Sequence, residues 1–275
     1  MSESWRDLNR AWWDERVPIH TASEFYDVEG FLKDPEASTL LPFEVGELGD
    51  VTGRTLVHLQ CHFGLDTLSW ARRGARVTGL DFSEQAVEAA REVAARGGLD
   101  ATFVAGDVYD AVDLLGGATY DVVVTGQGAL NWLPDVDRWA AVVAALTAPG
   151  GTLLLTEFHP LHQVFGDDDL TIEHPYFQDG PQRWDEGGTY AELTAPTENN
   201  VTLEWTHGLG AVVTALVRAG LVVDHLHEFD HLTFPRWPLL VRDGATYRFP
   251  PGAPSLPLRY SLRAHRPGPA AAAPA

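Results

Sequence analysis

The stretch RVTGLDFSEQAVEAAREVAARGG, residues 76–98, decides the fold. Arg76–Leu80 reads as a short strand, and Ser83 has the side chain to cap a helix directly after it. Val87, Ala90 and Ala94 share one face of that helix, and Gly97-Gly98 stops it. Working outward, the same strand-then-helix rhythm repeats on both sides. Upstream, the apolar run Thr55–Gln60 leads through Cys61-His-Phe-Gly64 into a helix over Leu65–Arg73, with Asp66 in its electropositive first turn and Gly74 beyond its end. Downstream, Ala101–Ala105 and Asp121–Gly126 read as strands. Asp135 caps a helix to about Thr147, and Pro149-Gly150-Gly151 turns the chain into a strand over Thr152–Phe158. Strands and helices alternating with short turns predict a parallel sheet with helices on both faces.

The flanks differ from this core. Residues 1–50 are rich in aromatics, and Leu8, Ala11, Trp12 and Glu15 predict a short amphipathic helix. Residues 161–205 read as irregular and are too long for an ordinary connection. Thr206 is placed to cap a helix to about Ala219. Two β-like runs follow, Leu221–Phe229 and Leu258–Ala264, separated by a Pro-rich loop. The division expected is an N-terminal lid (1–50), a ligand-binding core (51–160), an inserted substrate segment (161–205), completion of the sheet (206–265) and a disordered tail (266–275).

Composition narrows the function. Nineteen basic against 39 acidic residues give a net charge of −20, which disfavours nucleic acid and anionic membranes as partners. Cys61 is the single cysteine, so an internal disulfide is excluded and a Cys-based metal site is not expected. His159 and His162 with Asp167–Asp169 give only weak metal spacing, and no metal is assigned. The start Met1-Ser-Glu-Ser-Trp-Arg-Asp lacks a basic region before an apolar run, so a cytoplasmic protein is expected, with monomer and homodimer both left open.

In an open parallel sheet, ligands bind beyond the carboxyl ends of the strands, near the point where strand order reverses. Asp81 ends the second strand, where its oxygens are spaced for the vicinal hydroxyls of a ribose. Asp107 closes the third strand, placed to accept from an exocyclic amine, and Phe82 has the flat face to lie against a base.

Leu56–Pro160 resembles the core of class I S-adenosylmethionine-dependent methyltransferases, through Gly79-Leu-Asp-Phe-Ser83, Gly106-Asp107, Tyr120-Asp-Val-Val-Val124, Leu133-Pro-Asp135 and Leu146-Thr-Ala-Pro-Gly-Gly151. The resemblance implies a Rossmann-like, mostly parallel seven-stranded sheet and S-adenosylmethionine as cofactor. It further implies ribose on Asp81, the adenine amine on Asp107 and the ring against Val108; Gln60, His62, Gly64, Phe82 and Gly126 complete the expected cofactor site. One departure stands out: the family's acidic-x-Gly-x-Gly-x-Gly turn reads here His58-Leu-Gln-Cys-His-Phe-Gly64, with only Gly64 kept. This string, with Trp132-Leu-Pro, Glu157-Phe-His-Pro160 and Glu204-Trp205, resembles one bacterial branch of the family. His58 itself reads as a core histidine.

The activity expected is methyl transfer to an N or O nucleophile on a small molecule by in-line displacement, which rests on alignment more than on a catalytic triad. If a base assists, His159 is the candidate, with Glu157 orienting it. Trp13, Arg16, His20 and Tyr26 from the lid, with Trp132, are expected to line the acceptor pocket. Tyr176, Trp184, Tyr190 and Trp205 of the insertion form its other wall. Two rival readings are a protein that binds the cofactor without methylating, and a nicotinamide-dependent oxidoreductase. The second lacks the Gly-x-Gly-x-x-Gly turn that a pyrophosphate requires.

Overall fold

The computed structural model describes residues 4–269. The helices are α1 (Trp5–Ala22), α2 (Val28–Lys33), α3 (Pro42–Leu48), α4 (Leu65–Arg72), α5 (Glu84–Gly97), α6 (Ala111–Leu114), α7 (Val136–Leu146) and α8 (Leu209–Arg218). The strands are β1 (Thr55–Leu59), β2 (Arg76–Asp81), β3 (Ala101–Ala105), β4 (Tyr120–Thr125), β5 (Thr147–Phe158), β6 (Gln182–Asp185), β7 (Val201–Glu204), β8 (Val222–Phe229), β9 (His231–Leu232), β10 (Val241–Asp243), β11 (Thr246–Arg248) and β12 (Arg259–His265).

Seven strands form one sheet in the order β3-β2-β1-β4-β5-β12-β8. The first five run parallel, and β12 is antiparallel to both β5 and β8. The fold is therefore the mostly parallel α/β sheet expected. Central strands covered on both faces must be apolar throughout, and Leu56, Val57 and Leu59 of β1 and Val122–Val124 of β4 are all buried. On one face Trp139, Ala140, Val143 and Leu146 of α7 pack with Val212 and Leu216 of α8; on the other lie α4 and α5. Burying a large apolar side chain contributes about 1.5–3 kcal/mol, so Trp139, fully enclosed, is a substantial anchor of the first face.

Local signals set several boundaries. The Ser83 hydroxyl accepts from Ala86 N at 3.0 Å, Asp135 accepts from Arg138 N at 2.9 Å, and Gly98 ends α5 at φ 60°. β5 begins at Thr147, earlier than the sequence predicts, because Pro149–Gly151 is carried as an irregularity within the strand. A Cβ on Gly151 would lie 2.9 Å from the Tyr120 carbonyl oxygen, so only glycine fits there.

Four expectations are corrected. α1 is not short but 18 residues long. Its buried stripe is Asn9, Arg16, Val17 and His20, held by partners far along the chain. The 161–205 segment contains the antiparallel hairpin β6–β7. Asn9 locks that hairpin to α1, donating to Leu203 O at 2.8 Å and accepting from Leu203 N at 2.9 Å. α8 starts after Gly208, because the Thr206 hydroxyl donates to Gln163 at 2.8 Å instead of capping. Between β8 and β12 lies a small sheet, β10-β11-β9, with its own core of Leu232, Trp237, Leu240, Phe249 and Leu258. Of the expected tail, 266–269 carry no regular structure and the rest lies outside the described residues. No helix among the described residues is long and apolar enough to cross a membrane.

Candidate active site

Strand order reverses between β1 and β4, and a cleft opens beyond their carboxyl ends. Its floor is the turn after β1. Gln60 and His62 adopt φ 55° and 52°, the left-handed region that favours glycine, and Gly64 follows at φ 81°. The turn thus keeps a glycine-type backbone while carrying two polar side chains. Two contacts hold it there: Gln60 Nε2 donates to Ala129 O at 2.8 Å, and Asp81 Oδ2 accepts from His62 N at 2.7 Å. Gly64 has no substitute, since a Cβ would come 2.7 Å from the Phe103 ring.

Asp81 also accepts from Ser83 N at 3.0 Å, which aims its carboxylate along the cleft floor. Burial pushes its carboxyl up to about 6, with the Asp14 carboxylate adding to the shift. Phe82, Val108 and Gly126 line the same space as Gln60, His62, Gly64, Asp81 and Asp107, so the structure brings every expected cofactor residue together. Asp107 is already engaged: it accepts from Tyr109 N at 2.8 Å, and Arg6 Nε of α1 lies 2.5 Å from its other oxygen.

The loop after β4 forms the next wall. Glu157 accepts from the backbone N–H groups of Gly128, Ala129, Leu130 and Phe158, each at 2.7 Å. Both carboxylate oxygens are spent on this loop, so Glu157 holds the wall and does not meet a substrate. His159 is not brought to the cleft either. Its Nδ1 accepts from Leu161 N at 3.2 Å, and its Nε2 lies 3.1 Å from Glu228 on β8. The chain has by then turned toward the β12 side of the sheet, where His159 N donates to Leu258 O. His162 is packed on Phe158 and Trp237, away from His159's partner.

The roof is aromatic. Trp13 of α1 meets His62 at 4.9 Å and Trp132 at 5.3 Å between ring centroids, and Tyr26 meets His62 at 5.8 Å. The Tyr26 and Tyr190 hydroxyls are hydrogen-bonded to each other across the mouth. His20 stands behind this layer, its Nδ1 2.9 Å from His62 Nε2 and its Nε2 2.5 Å from the Thr189 hydroxyl. Burial holds the His20 imidazole down to about 4 and His62 well below the ordinary histidine range, so both are neutral at pH 7.

Five expected acceptor contacts do not line the cleft: His20, behind the roof, and four that lie elsewhere. Arg16 is fully buried outside the cleft and donates to the carbonyls of Trp12, Glu186, Gly188 and Asn199 and to the side chains of Thr197 and Asn200. It ties α1 to the 186–200 loop. Tyr176 packs on Gly208, and its hydroxyl accepts from Leu209 N. Trp184 sits on β6 beside His174, and Trp205 packs edge-on against Trp5 at 5.6 Å. Trp5 itself, absent from the expected set, lines the cleft, as do Thr39, Asp66, Leu133 and the core histidine His58. Trp5 repeats at helical spacing with Asn9, Trp13, Arg16 and His20, the stripe that would have revealed it.

Arg16 carries a prediction. Leucine in its place strands buried carbonyl acceptors and frees the 186–200 loop. Arg16→Leu is expected to lose about 3–5 kcal/mol in urea denaturation, and protease cleavage should concentrate within 186–200. Unchanged stability would mean that the loop docks without this tether.

Residues 57–153 match the methyltransferase domain family. The ubiquinone biosynthesis O-methyltransferase of Mesorhizobium japonicum is 26% identical over 82% of this chain and 86% of its own length. That of Cronobacter sakazakii is 32% identical over 47% of this chain and 54% of its own, so the chain spans about half the length of that relative. Among solved structures, an S-adenosylmethionine-dependent methyltransferase from Mesorhizobium loti aligns with TM-score 0.54 and 21% identity, covering 85% of this chain and 100% of that one. A glycopeptide N-methyltransferase complexed with S-adenosylmethionine aligns at 0.52 and 19%, covering 82% of this chain and 92% of that one. These two likenesses concern the fold.

Proposed function

We propose that this chain is an S-adenosylmethionine-dependent methyltransferase that acts on a small, flat acceptor with an oxygen or nitrogen nucleophile, held beneath the aromatic roof. The observation that carries the reading is the arrangement of Trp13, Tyr26, His62, Trp132 and Tyr190 around the same cleft that Asp81 floors. Flat aromatic walls favour planar or cationic groups and keep water from the sulfonium. The O-methyltransferase names of the Mesorhizobium and Cronobacter relatives favour oxygen. The division into an N-terminal lid (1–50), an acceptor-side insertion (161–205) and a sheet-completing segment (206–265) belongs to the same proposal.

In this reading a lone pair of the acceptor attacks the methyl carbon in line with the sulfur. The carbon–sulfur bond breaks, sulfur keeps its electron pair, and S-adenosylhomocysteine leaves. The acceptor proton passes to the His62 imidazole as the nucleophile attacks; burial makes this a weak base, and the hydrogen-bonded His20 and Thr189 hydroxyl behind it offer the proton an onward path. In this proposal His62 takes the role that the position after the strand end suggested for His159.

The direct test is product analysis with a panel of phenols and aromatic amines. Stoichiometric S-adenosylhomocysteine with a methylated phenol or amine is expected. Cofactor binding without turnover of any acceptor would favour the non-catalytic reading, and tight NAD binding would remove the cofactor assignment. His62→Asn removes the base, while asparagine tolerates the left-handed backbone. It should lower kcat by about 10²–10³-fold, with a smaller loss of S-adenosylmethionine affinity because His62 also lines the cofactor side of the cleft. An unchanged kcat would exclude His62 as the base.

A further inference from the structure

A second cluster of chemistry-bearing side chains lies at the edge of the sheet, on β8. His225 and His227 are two residues apart on that strand and so share a face, with their rings stacked 4.2 Å apart. Glu47, in the last turn of α3, faces them. Its Oε1 lies 2.9 Å from His227 Nδ1 and accepts from the Ser261 hydroxyl on β12 at 2.7 Å. Its Oε2 lies 3.4 Å from His225 Nε2.

These last two atoms are shielded from solvent, yet neither has a hydrogen-bond partner. The two atoms lie within ion-pair distance, but their geometry makes no hydrogen bond, a poor arrangement for a shielded acceptor and ring nitrogen in the protein alone. The separation suits something placed between them. A tetrahedral ion bound at about 2.0–2.1 Å by nitrogen and oxygen ligands holds those ligand atoms about 3.3–3.4 Å apart. One oxygen of Glu47 and one ring nitrogen from each histidine all fall within 4.8 Å of one another.

We infer that Glu47, His225 and His227 bind one divalent transition-metal ion of the zinc class, with a fourth position open to water. Two imidazoles and one carboxylate select zinc, cobalt or nickel over magnesium and calcium, which prefer all-oxygen sets. The His227 side chain is half exposed, which gives the ion a way in. Arg263, the nearby cation, is turned to the Glu47 carbonyl and to Asp224. The net charge of −20 further favours cations at the surface. The ion would fasten α3 to the last strand of the sheet. The segment before α3 carries Thr39, which bonds Asp66 at the cleft, so the ion steadies the base of the N-terminal layer.

The test is calorimetric titration of the chelator-treated full chain with zinc chloride, with magnesium chloride as control. One zinc per chain at micromolar Kd is expected, with a rise in Tm of about 5 °C at saturation. His227→Ala and His225→Ala should each weaken zinc at least tenfold while keeping S-adenosylmethionine binding, which shows that they are folded. Absence of zinc binding, binding untouched by both variants, or magnesium bound as tightly as zinc would each overturn the assignment.

Discussion

Glu157→Ala is expected to destabilise the protein by about 3–5 kcal/mol and to abolish methyl transfer. Four backbone N–H groups converge on this carboxylate, and alanine leaves them without an acceptor in a buried place. Each orphaned buried donor costs about 1–3 kcal/mol, and relaxation of the loop recovers part of the sum. The loss of activity follows from position, because residues 126–129 form one wall of the cleft and Ala129 O also receives the Gln60 side chain. Glu157→Gln keeps the shape but offers one acceptor oxygen where the carboxylate offers two, so an intermediate loss is expected. Urea denaturation followed by tryptophan fluorescence measures both. A folded Glu157→Ala enzyme with full stability would show that the loop is set by its own sequence.

The second large effect is on the cofactor. Asp81→Ala is expected to weaken S-adenosylmethionine binding by at least about 100-fold. Two hydrogen bonds from a ribose diol to a charged acceptor contribute roughly 1.5–3 kcal/mol each, and every 1.4 kcal/mol is about tenfold in Kd. The carboxyl adds a pH signature. Burial raises it from 3.8 to about 6, so the empty cleft favours the acid form. Its stabilising contribution is complete below pH 3.8 and is lost as pH rises through about 6, on the order of 3 kcal/mol. With Asp81 as the proposed acceptor of the ribose diol, binding takes the ionised form, so affinity should be flat above pH 7 and fall by up to about tenfold per unit below pH 6. Asp81→Asn should bind weakly at every pH, without that slope. Calorimetry from pH 5 to 8 on both proteins checks this, and parallel curves would remove Asp81 from the ribose.

What the sequence discloses here tracks how local the cause is. The helix α5 has its cap, its apolar face and its stop within 16 residues, so its bounds can be read directly. Asp81 and Asp107 are found because strand ends in a parallel sheet all deliver to one edge. α8 is misread at its start because the Thr206 hydroxyl is captured by Gln163, 43 residues back. His159 is misread for a related reason. Its strand ends where expected, but pairing with β12 carries the next residues away from the cleft, and that pairing joins segments about 100 residues apart. Arg16 and His20 lie on α1, in the region where helical spacing predicts a helix. Most of their partners, however, lie 169 to 184 residues further on, and no spacing rule reports that. The turn at Gln60–Gly64 shows the opposite case: its sequence departs from glycine, but the backbone does not, because Asp81 and Ala129 hold it from outside.

The Asn9 side chain has a consequence for solubility. β7 pairs with β6 along one side only, which leaves the backbone of Leu203 as a template for a strand from another molecule. The Asn9 amide meets Leu203 as a neighbouring peptide group would, donating to its carbonyl and accepting from its N–H. One buried side chain on a helix thereby closes a sheet edge against aggregation, and α1 shields the hairpin as well as roofing the cleft.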